Sequence, residues 1–118
     1  MAYDEALAAR IRDHLADVAP QAVEKRMFGG LAFLVDGNMA VAASGSGGLM
    51  VRCSPDDVER LLAEPGAHPM VMRGREMAGW LRVDDTTPGC TGLDETTLRQ
   101  WIDIGVAQAT ALPPKAVR

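Results

Sequence analysis

Four side chains of this sequence are of the types most often used for acid–base catalysis or metal binding: His14, His68, Cys53 and Cys90. A general base must lie within hydrogen-bond reach of the proton it takes, and a structural zinc site usually has four ligands. The four residues are dispersed between positions 14 and 90, and neither histidine has a paired carboxylate or cysteine at ligand spacing. We therefore expect no catalytic residue, no metal and no cofactor.

The cysteines and the glycine-rich loop have simpler structural interpretations. Cys53 alternates with Leu49 and Val51, as a small buried residue of a strand would, whereas Cys90 lies in a polar loop where it could be exposed and oxidisable. The loop from Ser44 to Gly48 precedes a strand and has no lysine, so it is a hairpin connector and not a phosphate-binding loop. Two cysteines do not make a disulfide framework.

Length and charge narrow the class of protein. A chain of 118 residues predicts one domain, residues 1–118, with 113–118 as a frayed tail. The net charge of −4 disfavours a surface that binds nucleic acid by bulk electrostatics, although a local basic patch is compatible with it. The N-terminus does not resemble a signal peptide, and no apolar run approaches the length of a membrane span. We expect a cytoplasmic protein that does not contact a membrane.

Periodicity predicts three helices. Leu7, Ile11, Leu15 and Val18 form an apolar stripe within a first helix from about Tyr3 to Ala19. A second helix opens at Ser54-Pro55-Asp56-Asp57, where Ser54 can cap an amide and Pro55 suits the first helical position. The last helix runs from about Asp94 to Leu112, and its apolar stripe consists of Leu98, Trp101, Ile102, Gly105, Ala109 and Leu112.

Alternation and turn signals predict five strands. Gly29-Gly30 could form a hairpin turn, but each flanking run would be very short. We therefore expect one bent strand from about Arg26 to Val35, with these glycines forming a bulge, and a hairpin turn at Asp36-Gly37. The other strands are Asn38 to Ala43, Leu49 to Cys53, Met70 to Arg73 and Arg75 to Val83, the last two joined near Gly74. The order α-β-β-β-α-β-β-α predicts a two-layer α+β domain, in which helices pack on one face of an antiparallel sheet.

Four segments together resemble the TfoX N-terminal domain family, the first domain of the bacterial competence regulators called TfoX or Sxy. They are Arg26-Met27-Phe28-Gly29-Gly30, Asp36-Gly37-Asn38-Met39, Leu49-Met50-Val51-Arg52 and Gly74 to Trp80, and the closing Leu112-Pro113-Pro114-Lys115 also resembles many short members. The resemblance implies an antiparallel sheet backed by helices, related to secretion-chaperone-like folds, and a link to regulation of DNA-uptake genes. Competence regulators of this family carry a second, helical C-terminal domain, which we do not expect in this chain.

One surface is a candidate for binding. Alternation places Met50, Arg52, Trp80 and Arg82 on the side of the sheet opposite the helices, called here the far face, while Met77, Gly79, Leu81 and Val83 share the helix side. Arg73 and Arg75, beside the Gly74 turn, would extend this patch. It could be a solvated face with arginine stems covering Trp80, a self-association surface or a site for an anionic partner.

The sequence as a whole indicates a non-catalytic binding or regulatory domain that acts through protein–protein contact or dimerisation. Two alternatives stay open. One is an enzyme or small-ligand carrier whose site is assembled only in three dimensions. The other is direct DNA binding through the arginines of the far face, which the acidity of the chain disfavours.

Overall fold

The computed structural model describes residues 5–27, 29–44, 48–64, 66–72, 74–83 and 95–112. These residues form three helices and six strands, with one 3-10 turn at Pro55–Asp57. In chain order the elements are α1 (Glu5–Val18), β1 (Val23–Met27), β2 (Gly30–Val35), β3 (Asn38–Ala43), β4 (Leu49–Arg52), α2 (Val58–Leu61), β5 (Ala67–Met72), β6 (Arg75–Val83) and α3 (Glu95–Ala111). The predicted α+β class with an antiparallel sheet is confirmed.

The sheet has six strands and not the predicted five. Every neighbouring pair is antiparallel, and the spatial order is β1-β2-β3-β4-β6-β5. Four strands therefore follow one another as a meander, and the β5–β6 hairpin joins the sheet through β6. This leaves β1 and β5 as the two edge strands.

The additional strand arises from Gly29-Gly30, where the predicted single bent strand was wrong. Met27 pairs with Gly30, so the chain reverses between them, and Gly29 has a φ of +74° that suits a tight turn. The short run before the turn is enough because β1 starts earlier, at Val23, and is an edge strand. An edge strand tolerates the charged residues Glu24, Lys25 and Arg26. The predicted strand began only at about Arg26, so it did not include Glu24 and Lys25.

The second hairpin forms as predicted. Asp36 and Gly37 have φ values of 54° and 81°, which are the two positive angles that a type I′ turn requires. The ladder shifts beyond this turn, because Leu34 pairs with Met39 whereas Phe33 pairs with Val41. Ala40 is thus the extra residue of a bulge, and both Ala40 and Val41 are buried.

The helices cover one face of the sheet. Leu7, Ile11 and Leu15 of α1 are buried as predicted, but Val18 is 44% exposed because it lies where the helix ends. The predicted stripe of α3 is confirmed for its buried members Leu98, Trp101, Ile102, Gly105 and Ala109. Together they enclose one large core with the inward side chains of the sheet, which include Leu31, Phe33, Val35, Val41, Leu49, Val51, Leu81 and Val83.

Helix α3 lies unusually close to β3. A β-carbon on Gly105 would stand only 2.4 Å from the carbonyl oxygen of Ala40, so only glycine fits at this crossing. One helical turn after Gly105, the carbonyl oxygen of Ala109 accepts a hydrogen bond from Nδ2 of the buried Asn38, at 3.2 Å. These two contacts fix the position of α3 on the sheet.

The segment after β4 follows the predicted capping pattern. The Ser54 hydroxyl accepts a hydrogen bond from the Asp56 amide at 3.4 Å, and Pro55 begins the turn. Leu61 is buried and anchors α2 to the core. Among the helices of the described residues, none is long and apolar enough to cross a membrane.

Candidate functional site

The far face is organised by one row of side chains that crosses the whole sheet. Directly opposed residues of antiparallel strands point to the same side, so their pairing can be followed from edge to edge. The row contains one residue from each strand, in the order Lys25, Ala32, Ala42, Met50, Arg82 and His68. Its central residues, Ala32, Ala42 and Met50, are apolar. Basic residues lie at both ends of the row.

The centre of this row forms a second, small hydrophobic cluster separate from the main core. Ala32, Ala42 and Met50 are buried, and Leu34, Met39 and Met70 pack against them while staying partly exposed. Met50, with 7% exposure, therefore lies beneath the surface and supports it. The apolar groups that a partner could reach are Leu34, Met39 and Met70.

Arg52 and Trp80 form a stacked pair beside the row. They are register partners on β4 and β6, and the guanidinium carbon of Arg52 lies 5.2 Å from the centre of the indole ring. This is within the range of a cation–π interaction, with the guanidinium group over the ring. Trp80 is partly exposed, as predicted. The stacking fixes the Arg52 charge on the far face.

The structure thus brings together four of the six predicted residues: Met50, Arg52, Trp80 and Arg82. For the other two, Arg73 and Arg75, the prediction stays untested. Arg75 begins β6 and pairs through its backbone with Met72, but its side chain is not described. Arg73 lies outside the described residues.

The alternation predicted for the last strand holds only in part. Leu81 and Val83 are buried on the helix side, as expected. Gly79, however, has a φ of +80°, and the pairing of β5 with β6 shifts register between Pro69 and Val71. This irregularity interrupts the period of two, and the side chains of residues 75–78 lie outside the description.

Sequence reasoning missed Lys25 and His68, both of which are exposed on the far face. Lys25 was missed because β1 was not recognised as a separate strand. With the turn placed at Gly29, alternation from Val23 would have put Val23 and Lys25 on one side and Glu24 and Arg26 on the other. His68 was missed because β5 begins at Ala67, three residues before the predicted start.

His14 has a carboxylate partner that its sequence neighbourhood does not reveal. Its Nε2 lies 2.8 Å from Oδ1 of Asp103, which is 89 positions away on α3. The side chain of His14 is 11% exposed and that of Asp103 is 57% exposed. The pair joins α1 to α3 on the helix side, and we interpret it as a contact between helices.

Cys53 lies in the main core with 1% exposure, in agreement with its predicted packing role. Burial, reinforced by the nearby Asp57 carboxylate, raises the pKa of the Cys53 thiol, so the reactive thiolate is disfavoured. Cys90 and its loop lie outside the described residues. Within the described part of the chain, no three His, Cys, Asp or Glu side chains are grouped as a metal site would require.

The fold and site define a small α+β domain with helices on one face of an antiparallel sheet and a basic, aromatic patch on the other. Residues 13–109 match the model of the TfoX N-terminal domain family, so this chain belongs to that family. No curated protein and no solved structure matches the chain. The family membership predicted from the sequence is therefore confirmed.

Proposed function

We propose that this protein is a non-catalytic regulatory domain of the competence-regulator type, and that it acts through protein–protein contact on the far face. Family membership supports the regulatory role, since the match spans residues 13–109. The observation that supports the choice of surface is that Arg52, Trp80 and Arg82 lie together with the partly exposed Leu34, Met39 and Met70, on the side that the helices do not cover.

The composition of this surface favours binding to another macromolecule. Aromatic residues, methionine and arginine are enriched at interfaces relative to the rest of a protein surface. Methionine side chains also adapt their shape to an incoming partner. The far face presents Met39, Met70, Trp80 and two arginines on neighbouring strands of the sheet, all partly exposed.

Reversing two far-face charges, in the organism that carries this gene, and measuring transcripts of the DNA-uptake genes tests the proposal. Lys25→Glu together with Arg52→Glu changes the far face without entering the main core. We expect transcripts of the DNA-uptake genes to fall to the level of the gene deletion, because the partner no longer binds. Transcripts should be measured at equal protein level, verified by immunoblot.

The matched control is Arg60→Glu with Arg99→Glu, which makes the same change of charge on exposed helical positions. This variant should retain transcript levels close to wild type. If the gene deletion lowers the transcripts but the far-face variant leaves them at the wild-type level, the far face is not the regulatory surface. If the deletion itself has no effect, the regulatory role is wrong.

A further inference from the structure

The two edges of the sheet differ in regularity. On β5, Pro69 has no N–H to donate to a further strand, and the register with β6 shifts between Pro69 and Val71. Both features make an edge a poor template for the addition of a strand. Strand β1, by contrast, pairs with β2 without a shift over its whole length, Val23–Met27. β1 is therefore the regular edge of this sheet.

Strand β1 is open along its outer side. Val23, Glu24, Lys25 and Arg26 are all exposed, and among the described strands none lies beyond β1. Alternate residues of an antiparallel edge strand direct their N–H and C=O groups away from the sheet, where a further strand can bind them. Charged side chains on an edge usually prevent unspecific pairing. The order of the charges on β1 therefore decides which strand it accepts.

The charges of β1 are complementary to those of a second, antiparallel copy of the same strand. When a two-fold axis at Lys25 relates the two strands, Glu24 lies opposite the partner's Arg26, and Arg26 lies opposite the partner's Glu24. Both side chains lie on the helix side, because within one copy they oppose Phe33 and Leu31 of the main core. Opposite charges directly across an antiparallel pair stabilise that pair.

The neighbouring registers lack this complementarity. An axis at Glu24 or at Arg26 would place that residue opposite its own copy, as a pair of like charges, and would shorten the overlap of the strands. The axis at Lys25 overlaps all five residues of β1. It also opposes the two copies of Lys25 on the far face, but the long lysine side chains can diverge into water, and two Glu–Arg pairs outweigh this one repulsion.

Glu24 is already held in position for such a contact. Arg12 donates two hydrogen bonds to the Glu24 carboxylate, at 2.6 and 2.7 Å. A carboxylate has two oxygens with about four lone-pair sites, so it can accept from the partner's Arg26 as well. Because Arg12 already restricts the Glu24 side chain, this side chain loses little rotamer freedom on association.

We propose that two copies of this chain associate through antiparallel pairing of their β1 strands about a two-fold axis at Lys25. Six strands from each copy then form one continuous antiparallel sheet, with both far faces on the same side. The dimer does not depend on the function proposed above, which assigns a different partner to the far face. Because two five-residue strands bury only a small interface, we expect a dissociation constant of about 10–100 µM.

Sedimentation velocity of charge-exchanged variants of the whole chain tests this pairing. Wild type should form a dimer at concentrations up to about 500 µM. Glu24→Arg alone and Arg26→Glu alone should each raise the dissociation constant about tenfold or more, because each variant opposes like charges. An equimolar mixture of the two variants should dimerise again, since every opposed pair then joins a cation to a carboxylate. A fluorescent label on one variant identifies the mixed dimer, which should weaken with added salt. The double variant Glu24→Arg/Arg26→Glu should also dimerise.

The matched controls are Glu59→Arg and Arg60→Glu, the same two changes on exposed residues of α2, and both should dimerise like wild type. Circular dichroism should show that all variants are folded. A wild-type protein that stays monomeric at about 500 µM would overturn the proposal. So would single β1 variants that dimerise like wild type, or a mixture that stays monomeric.

The dimer and the far-face contact can be rejected separately. The far-face variant Lys25→Glu/Arg52→Glu should dimerise like wild type, because Lys25→Glu replaces one pair of like charges at the axis by another. Transcripts of the DNA-uptake genes that fall in this variant would therefore report on the far face and not on the dimer. A monomeric wild-type protein would reject the dimer and leave the proposal for the far face intact.

Discussion

The two faces of the sheet differ in what fills the space above them. On the helix side, Phe33, Leu81 and Ile102 belong to one continuous core that is closed to water. On the far face, three buried residues form a small cluster, and the layer above it is made of partly exposed methionine, leucine, arginine and tryptophan side chains. The same strands therefore contribute to a closed core on one side and to a partly exposed surface on the other.

This difference indicates how the domain divides its residues between stability and binding. Substitutions on the helix side remove contacts with a rigid core, so they should lower the free energy of unfolding. Substitutions on the far face mostly affect side chains that are still in contact with water, so they should change binding more than folding. The two tryptophans, one on each side, provide a direct test.

The largest expected effect is that of Trp101→Ala. Trp101 is 3% exposed in the main core, and truncating a buried tryptophan typically costs about 3–5 kcal/mol. Trp80→Ala should cost less, about 1–2 kcal/mol, because the ring is partly exposed and its interaction with Arg52 contributes about 1 kcal/mol. Chemical denaturation of both variants, monitored by circular dichroism, measures the difference. Equal losses would contradict the distinction between the two faces.

A smaller but more specific loss is expected for Gly105→Ala. In an ordinary helix interior this change stabilises by about 1 kcal/mol, because alanine is the better helix former. Here the new methyl group would press on the Ala40 carbonyl oxygen and on Val41 Cγ1, at 2.4 and 2.8 Å. Overpacking of this kind typically costs about 1–3 kcal/mol, so the net change should be destabilising. A melting temperature at or above that of wild type would show that α3 can move away from β3.

The sequence predicted the helix side better than the far face, for a physical reason. Apolar stripes such as Leu98, Trp101 and Ile102 repeat with the helical period, and core burial enforces that period. In the edge strand β1, burial does not impose an apolar period, since its exposed residues include Glu24 and Lys25. In addition, a glycine such as Gly29 is compatible with either a bulge or a hairpin turn. Predicting five strands instead of six followed from this ambiguity.

On the far face, the residues of β4 and of the end of β6 were predictable from the sequence, but those of the edge strands were not. Period-two alternation in β4 and the end of β6 is regular, which is why Met50, Arg52, Trp80 and Arg82 were placed correctly. Lys25 joins them only through pairings that run across β2 and β3. The register of these pairings depends on where the turns between the strands lie, at positions distant from Lys25 in the sequence. The His14–Asp103 contact has the same origin, because it requires α1 and α3 to pack side by side.

The smallest expected effect concerns the ion pair that joins the helix side to the edge of the sheet. Arg12 of α1 donates two hydrogen bonds to the Glu24 carboxylate of β1, from Nε at 2.6 Å and from Nη2 at 2.7 Å. These hydrogen bonds hold the pKa of Glu24 below its ordinary value, against an opposing contribution from partial burial. Because both side chains are well exposed, we expect the pair to contribute less than about 1 kcal/mol.

The pH dependence of this pair has a definite sign. A carboxyl group whose pKa is lower in the folded state stabilises the fold above its unfolded pKa, and this contribution disappears as the pH falls through the folded pKa. Arg12→Gln should therefore destabilise the protein slightly at neutral pH, and its difference from wild type should shrink on acidification and with added salt. Arg99→Gln, which removes an exposed charge from α3, is the matched control. Urea denaturation of the three proteins at neutral and acidic pH measures the effect, and an Arg12→Gln difference that grows on acidification would contradict the assignment.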